Sequence, residues 1–206
     1  MRASDEKREQ IVNKFLLENF FKKFDPKAEL VTDVARQVKG SDVVFKGYNV
    51  DVKAQTSYLN NPTDTFILEV STLNRYGDPI EGWFIKGDSI TDFYVFTWIP
   101  DADVDNKGNL IKVNKAEIIF IKKEALRNFM RIRASDKELL DVADAMRLYG
   151  TRHRRLDNDI HYTMSEQLQE KPVNLVMPKS LLHLLSIKHC IVSENSIENV
   201  DANVTG

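Results

Sequence analysis

Residues 91–99, TDFYVFTWI, constrain the fold most, because this segment is apolar on both faces of an extended chain. A strand with one solvated face alternates apolar and polar side chains, whereas a strand with two apolar faces has to be covered on both sides. We therefore expect this segment to be a central strand of a sheet. Further strands are predicted at TFILEVS (65–71), EGWFI (81–85) and AEIIFI (116–121).

Helices are predicted on both sides of this strand-rich region. In residues 5–24 apolar side chains recur at helical spacing until Asp25-Pro26 stops the pattern. The same spacing occurs in residues 122–149, and PKSLLHLLSI (178–187) predicts a short helix. These elements predict the mixed α+β (α/β) class, with a central mixed sheet flanked by helices, extra strands and a C-terminal helical extension.

Length and composition favour one domain with added segments. A chain of 206 residues, 42% of them hydrophobic, can bury a single core of normal size. We predict a core at residues 1–121, beginning with the first helix and a strand at 29–38. A helical extension packed on that core is expected at 122–192, and an unstructured tail at 193–206.

Charge, cysteine content and the lack of long apolar segments limit the partners and the cellular compartment that the sequence predicts. The 29 basic and 31 acidic side chains nearly balance, so a basic surface for an anionic partner has to come from local clusters. Cys190 is the only cysteine, which excludes an internal disulfide and a cysteine-based zinc site. The start, MRASDEKREQ, lacks the apolar stretch of a signal peptide, and no apolar run approaches the ~20 residues that span a bilayer. We expect a cytoplasmic protein without a membrane partner.

Residues 41–55, SDVVFKGYNVDVKAQ, carry the polar side chains that most need an explanation. Two apolar runs joined by Lys46-Gly47 predict a β-hairpin. Side-chain alternation divides the second strand into a polar face, Asp51, Lys53 and Gln55, and an apolar face, Val50, Val52 and Ala54. Asp42 begins the first strand, and antiparallel pairing brings the two strands within reach of each other. Two carboxylates and an ammonium group are therefore expected to converge.

An acidic pair beside a lysine is suited to the hydrolysis of phosphodiesters. Hard divalent cations prefer carboxylate oxygens, and Mg²⁺ typically uses one or two carboxylates while keeping several waters. The cation lowers the pKa of a water that attacks phosphorus, and a lysine orients that water or stabilises the developing charge. The alternative is that Asp51 and Lys53 form only the solvated face of an amphipathic hairpin. Predicted strands on both sides favour a cleft, where unpaired carboxylates are costly.

An acid at the start of one strand, a short hairpin and then acid-x-Lys on the next strand resembles the PD-(D/E)xK nuclease superfamily, which has the restriction-endonuclease-like fold. The matching residues are Asp42 and Asp51-Val52-Lys53. The resemblance implies a nuclease that depends on Mg²⁺ or Mn²⁺. Its metal ligands would be Asp42, Asp51 and the backbone carbonyl of Val52, and Lys53 would be catalytic. Gln55 stands where many members keep a polar residue, which makes it a further candidate for the catalytic site.

The surroundings of the motif extend the resemblance over about residues 5–100. Many members open with a helix that carries a glutamate of the site, and Glu9 lies on the same helical line as Val12. This order is similar to that of Holliday junction resolvases, and the later strands are similar to a phage and mobile-element branch in which Glu69 would match a further glutamate. Ser41 replaces the proline of the motif. No helix is predicted after the DVK strand, so which strand lies beside the hairpin stays open.

The partner that the resemblance implies is nucleic acid, with DNA favoured, and a homodimer stays open. The residues expected to contact phosphates are Arg152, Arg154, Arg155, Lys122 and Lys123, together with Arg127, Arg131 and Arg133. A solvated loop and the exposed face of a helix explain the same residues equally well. The alternative to a nuclease is a catalytically inactive restriction-fold module that binds nucleic acid or another partner.

Three other patterns carry less functional information. Asp101-x-Asp103-x-Asp105 begins like a calcium-binding loop, but the glycine and glutamate that such a loop needs later are absent, so residues 101–109 predict a polar turn. His161, His183 and His189 are scattered along the sequence, and His183 is expected to be a partly buried structural residue. The aromatic residues of the strands are expected to be core rather than platforms for stacking bases.

Overall fold

A computed structural model describes residues 3–200 of the chain. Its helices are α1 (Ala3–Leu16), a π-helical turn (Leu17–Phe21), α2 (Lys22–Phe24), α3 (Val34–Val38), α4 (Lys123–Arg131), α5 (Asp136–Tyr149) and α6 (Lys179–Leu185). Its strands are β1 (Glu29–Leu30), β2 (Val43–Phe45), β3 (Tyr48–Ala54), β4 (Thr65–Leu73), β5 (Pro79–Glu81), β6 (Phe93–Val104), β7 (Leu110–Lys122), β8 (His153–Arg155), β9 (His161–Met164), β10 (Val173–Pro178), β11 (Lys188–Ser193) and β12 (Ile197–Asn199). The mixed α+β class predicted from the sequence is confirmed. Among these helices none is both long and apolar enough to cross a membrane.

The described chain divides into two compact units, each built from separated segments. The first unit contains residues 3–63, 90–123 and 183–200, and the second contains residues 64–89 and 124–182. This division differs from the predicted domains in two respects. Residues 64–89, which were expected in the core, belong to the second unit, and residues 183–200 belong to the first unit. The expected extension at 122–192 is also not purely helical, since it includes β8, β9, β10 and β11.

The first unit contains a mixed sheet, whose described strands have the order β1-β2-β3-β6-β7-β11-β12. Strands β3 and β6 run parallel, and the other neighbours run antiparallel. All residues from Tyr94 to Ile99 are buried, which confirms that the apolar segment is a central strand. The strand beside the hairpin is therefore β6. The connection from β3 to β6 passes through the second unit instead of through a single crossover helix.

Helix α1 and the π-helical turn cover one face of this sheet. They contribute Val12, Leu16 and Phe20 to a core that includes Val50 and Val52 of β3, and Cys190 and Val192 of β11. Because side chains alternate along a strand, Asp51, Lys53 and His189 project from the opposite face. The packing of the apolar face thus fixes which residues of β3 and β11 remain for other roles.

The second unit contains an antiparallel sheet, whose described strands have the order β5-β4-β10-β9-β8. Helix α5 begins with a capping box, in which the Ser135 side chain accepts from the Glu138 N–H and the Glu138 carboxylate accepts from the Ser135 N–H. The helix ends at Gly150, whose φ of 64° lies in the left-handed region. The cap at Gly150 explains why the predicted helical region at 122–149 ends there, and the cap at Ser135 begins α5 after a break that follows α4.

The predicted strand at 29–38 is wrong over most of its length. Strand β1 has two residues, and α3 follows, with the Asp33 carboxylate accepting a 2.9 Å hydrogen bond from the Arg36 N–H at the helix start. Val34 and Val38, whose side chains suggested a strand, are 70% and 65% exposed. A local N-cap therefore decides the structure where there is no packing for an apolar face.

The strands of the structure differ from the predicted strands at several places. Strand β5 ends at Glu81, and the rest of the predicted strand at 81–85 forms a turn after Gly82. Strand β6 continues into the predicted polar turn at 101–109, and β8 (His153–Arg155) lies in the region after Gly150 where no strand is predicted. Strands β11 and β12 replace the beginning of the predicted tail, whereas residues 201–206 lie outside the described residues. Strands β5, β8 and β12 pair with the strand next to them along the chain, and only β11 also pairs with a distant strand, β7. Such short strands form where a neighbouring strand offers a free edge, which their own sequence pattern does not reveal.

Candidate active site

The hairpin of β2 and β3 positions the candidate catalytic residues. The register pairs Val43 with Val50 and Phe45 with Tyr48, which leaves a two-residue turn at Lys46-Gly47. The φ angles of these two residues are 52° and 81°, as a two-residue hairpin turn of the I′ type requires. The predicted hairpin is confirmed, and its register places Asp42 next to β3.

The backbone N–H and carbonyl of Asp42 both form hydrogen bonds, one with β3 and one with the segment that follows β1. Its N–H donates to the Val50 carbonyl at 2.8 Å, and its carbonyl accepts from the Val31 N–H at 2.8 Å. Its carboxylate Oδ2 accepts a third bond, at 2.8 Å, from the N–H of Val52. The side chain is therefore directed toward β3, between Asp51 and Lys53.

Asp51 and Lys53 form an ion pair on the face of β3 that is opposite the α1 core. Lys53 Nζ lies 2.9 Å from Asp51 Oδ1, and the two side chains are 25% and 4% exposed. A buried carboxylate requires a partner of this kind, because burying an isolated charge is costly. The low exposure of Asp51 disagrees with a merely solvated hairpin face.

Asp42 and Asp51, which we call the acidic pair, share one small space. Burial raises the pKa of Asp42 to about 7, and the adjacent Asp51 carboxylate contributes to the rise through its charge and a hydrogen bond. Lys53 and the Val52 N–H act in the opposite direction but do not cancel the rise. The acidic pair therefore favours holding a proton, or another cation, between its carboxylates.

Lys53 is held in its charged form. Burial alone would lower its pKa, but the carboxylates of Asp51, Asp42 and Glu9 outweigh burial, and the net shift is upward. An ammonium group with a raised pKa does not act as a general base near neutral pH. It can orient a nucleophile by donating hydrogen bonds, or stabilise negative charge.

Val52 lies between the two polar residues of β3. Its N–H points to Asp42, and the N–H and carbonyl of one strand residue point to the same strand edge. The Val52 carbonyl therefore faces the side on which Asp42 lies. This direction agrees with the expectation that the carbonyl is a ligand beside the acidic pair.

The two remaining predicted site residues differ in their surroundings. Glu9 is exposed on α1, one turn before the buried Val12, and its charge contributes to the raised pKa of Lys53. Gln55 follows the end of β3, where its Nε2 donates to Thr63 Oγ1 at 3.0 Å and its Oε1 accepts from the Thr63 N–H at 3.4 Å. Glu9 is thus electrostatically linked to the site, whereas Gln55 holds the Thr63 segment.

Ser41, which stands in place of the motif's proline, supports Asp42. Its N–H donates to the Arg36 carbonyl at 3.2 Å, a bond that proline cannot make, and its hydroxyl donates to Asn49 Oδ1 at 3.0 Å. Asn49 Oδ1 also accepts from Arg36 Nη2 at 2.9 Å. No sequence signal indicated this network, because it joins α3 to β3 through side chains.

The expected phosphate-binding residues lie in both units. Lys122 and Lys123 belong to the first unit, at the end of β7 and the start of α4. Arg154 and Arg155 are exposed on β8 of the second unit, and Arg152, also exposed, is paired with Glu166 at 2.6 Å. Their predicted role is not decided by these positions.

Arg127 and Glu69, which the sequence suggested as functional residues, lie in the second unit and contact Phe84 there. Arg127 is buried, donates to the Phe84 carbonyl at 2.6 Å and is paired with Asp136, so its predicted phosphate contact is wrong. Glu69 lies on β4, and its carbonyl accepts from the Phe84 N–H at 3.1 Å. Arg127 and Glu69 thus belong to a different unit from Asp42 and Asp51, which lie in the first unit.

No protein-family model, curated protein or solved structure matches the chain. Among the described residues no group of three or more His, Cys, Asp or Glu side chains has a metal-holding arrangement. The acidic pair thus offers a cation two carboxylates, with the Val52 carbonyl on the same side. One or two carboxylates and several waters are the usual environment of Mg²⁺ in proteins, so the residues present fit this ion.

Proposed function

We propose that the protein is a nuclease that depends on Mg²⁺ or Mn²⁺ and hydrolyses phosphodiester bonds at the acidic pair. The observation that carries the proposal is the convergence of Asp42, Asp51 and Lys53 on one buried position, with Lys53 2.9 Å from Asp51. A restriction-endonuclease-like core is part of this proposal. It rests on the acid, hairpin and acid-x-Lys order, and on a parallel strand beside the hairpin.

The metal ligands in this proposal are the two carboxylates of the acidic pair and the Val52 carbonyl. Burial, followed by the charge of the adjacent Asp51 carboxylate, raises the pKa of Asp42 to about 7, although Lys53 acts in the opposite direction. A divalent cation would replace the proton of Asp42 and remove the repulsion. When bound, the ion supplies a water of lowered pKa and stabilises charge on the phosphate oxygens.

Lys53 has the role of a fixed positive charge. Its ammonium group donates hydrogen bonds that orient the attacking water, or it stabilises the negative charge that develops on the phosphate. Glu9 takes part through its charge on Lys53. Gln55 has a positioning role, because its amide holds Thr63.

Nucleic acid, with DNA favoured, is the proposed substrate. Exposed Arg154 and Arg155 and the lysines at the end of β7 are the residues that would contact the phosphate backbone. Contacts of this kind position a polymer without reading its sequence.

The test is a cleavage assay of the full chain with single-stranded, duplex and branched DNA in Mg²⁺ or Mn²⁺. Asp51→Asn and Lys53→Ala are expected to lose activity by at least about a hundredfold, because each removes a group that acts at the reacting phosphate. Lys46→Ala, in the exposed turn of the same hairpin, is the matched control and is expected to retain activity. Cleavage that persists in both site variants, or in excess chelator, contradicts the proposal. Tight binding of DNA without cleavage by the unaltered chain supports the inactive binding module instead.

A further inference from the structure

A second cluster of polar side chains lies in the first unit and is not part of the acidic pair. His183 Nδ1 lies 2.6 Å from His189 Nδ1, and His189 Nε2 lies 2.8 Å from Glu117 Oε1. His189 and Glu117 side chains are 7% and 19% exposed. Although the histidines are scattered along the sequence, α6 and β11 bring these two rings together, and His183 is partly buried as expected.

The cluster has a defined place in the sheet. The register places Lys53 beside Phe96, Phe96 beside Ile119, and Ile119 beside His189. His189 is thus three strands away from Lys53 on the same face, or about 14 Å at the usual spacing of strands. This distance is too large for one ion to contact both clusters.

The Glu117 contact determines the state of His189. An ionised carboxylate only accepts hydrogen bonds, so His189 Nε2 carries the proton in this contact. In the neutral ring the other nitrogen, Nδ1, then has a free electron pair, and this pair is directed at His183. A histidine that donates one ring N–H to a carboxylate while its other nitrogen faces a second imidazole has the arrangement typical of a metal ligand.

The two Nδ1 atoms converge on each other, and a shared ion would require them to lie farther apart. A 2.6 Å contact between ring nitrogens is shorter than an ordinary N–H···N hydrogen bond, so the pair is closely convergent. Two imidazole nitrogens around a tetrahedral Zn²⁺ lie about 3.4 Å apart, since each is about 2.1 Å from the ion. His183 is only partly buried near the end of α6, and its Nδ1 would have to move about 0.8 Å farther from His189 to admit the ion.

We propose that His183 and His189 bind one borderline transition-metal ion, such as Zn²⁺ or Ni²⁺, through their Nδ1 atoms, with Glu117 orienting His189 and water completing the coordination. Imidazole nitrogen is a preferred ligand of these ions, whereas Mg²⁺ prefers oxygen. The bound ion would fasten the end of α6 to β11, which are joined by only a short turn at Ser186-Ile187. This inference does not depend on the proposed nuclease activity.

Zn²⁺ added to the metal-free full chain tests the site, with stoichiometry measured by calorimetry and stability by thermal unfolding. We expect one Zn²⁺ per chain whose binding depends on the two histidines, and a higher Tm, since an ion that binds only the folded state stabilises it. His183→Ala is expected to weaken binding at least about tenfold, as the loss of one of two protein ligands requires. The double variant His153→Ala/His161→Ala is the matched control, because it removes the other histidine pair, whose ring centroids are 6.5 Å apart. It should bind Zn²⁺ as the unaltered chain does.

Imidazole nitrogen NMR gives a second readout that does not depend on a variant. Zn²⁺ should shift the Nδ1 resonance of His189 while its Nε2 stays protonated toward Glu117. The proposal is overturned by the absence of Zn²⁺ binding, by equal binding in His183→Ala, or by loss of binding in the His153/His161 control. A pair of imidazoles whose Nδ1 signals do not respond to Zn²⁺ or Ni²⁺ is a hydrogen bond only, and this result also overturns it.

Discussion

The backbone N–H of Val52 donates a 2.8 Å hydrogen bond to the Asp42 carboxylate, and so ties the acid of one hairpin strand to the residue between Asp51 and Lys53 of the other. The bond fixes the orientation of Asp42 without neutralising it. Burial of the carboxylate, together with the charge of the adjacent Asp51, still raises the pKa of Asp42 to about 7. The same geometry that suits a cation therefore destabilises the fold when no cation is bound.

The first prediction concerns the pH dependence of stability without metal. The pKa of Asp42 is 3.8 as a free side chain and about 7 in the folded chain. Between these values the unfolded chain has lost the proton and the folded chain keeps it, so the free energy of unfolding falls as pH rises and levels off above about 7. Asp42→Asn should flatten this decline, which thermal unfolding in chelator at a series of pH values would measure.

The control for this experiment is Asp105→Asn. The pKa of Asp105 is lowered from 3.8 by hydrogen bonds, first of all from the Asn109 side chain, so Asp105 is ionised in both states through the upper part of this range, above about pH 5. Its replacement should leave the pH dependence in this range unchanged. Mg²⁺ should raise Tm of the unaltered chain more at pH 8 than at pH 5, and an equal rise in Asp42→Asn would contradict the proposed ligand role.

A second prediction is that Lys53 stabilises the fold, independently of its proposed catalytic role. Lys53→Ala leaves the 4%-exposed Asp51 side chain without its ion-pair partner. We expect a loss of about 2 kcal/mol, below the 3–5 typical of fully buried pairs because Lys53 is partly exposed. Urea unfolding of Lys53→Ala, Asp51→Asn and the double variant Asp51→Asn/Lys53→Met would measure it. The double variant should regain most of the loss, and additive losses would argue against the pair.

The hairpin could be predicted from the sequence because its determinants are local. A two-residue turn with Gly47 and the alternation of Val50, Asp51, Val52 and Lys53 are both short-range patterns. They were sufficient to predict that Asp42, Asp51 and Lys53 converge, and the distances agree. Whether the site binds metal or cleaves nucleic acid stays a prediction.

The features that the sequence did not reveal depend on long-range contacts. The strand that pairs with β3 on the side away from β2 is β6, which lies about forty residues later along the chain and runs parallel to β3. Arg127 looked like a surface cation, but contacts from Phe84 and Asp136 bury it. His183 and His189 are six residues apart, and only the turn from α6 into β11 makes their rings face each other.

A third prediction concerns Ser41, where the related motif has proline. Ser41→Pro removes the N–H that donates to Arg36 and the hydroxyl that donates to Asn49, whereas Ser41→Ala removes only the hydroxyl. Each lost hydrogen bond of a buried group costs about 1–3 kcal/mol, so proline should destabilise the fold more than alanine does. Chemical unfolding of the two variants gives the comparison. A stabilising proline would show that the network around Asn49 does not support Asp42.

The last prediction separates the arginines that follow Gly150, on the assumption that the protein binds DNA. Arg154 and Arg155 are exposed on β8, whereas Arg152 is paired with Glu166 at 2.6 Å. If exposed arginines neutralise phosphates, Arg155→Ala and Arg154→Ala should each weaken DNA binding in a sequence-independent way and reduce the salt dependence by about one unit of slope. Arg152→Ala should have a smaller effect, because its charge is already neutralised in part. Binding measured over a range of salt concentrations would test this order, and an unchanged slope in both β8 variants would exclude this strand from the DNA contact.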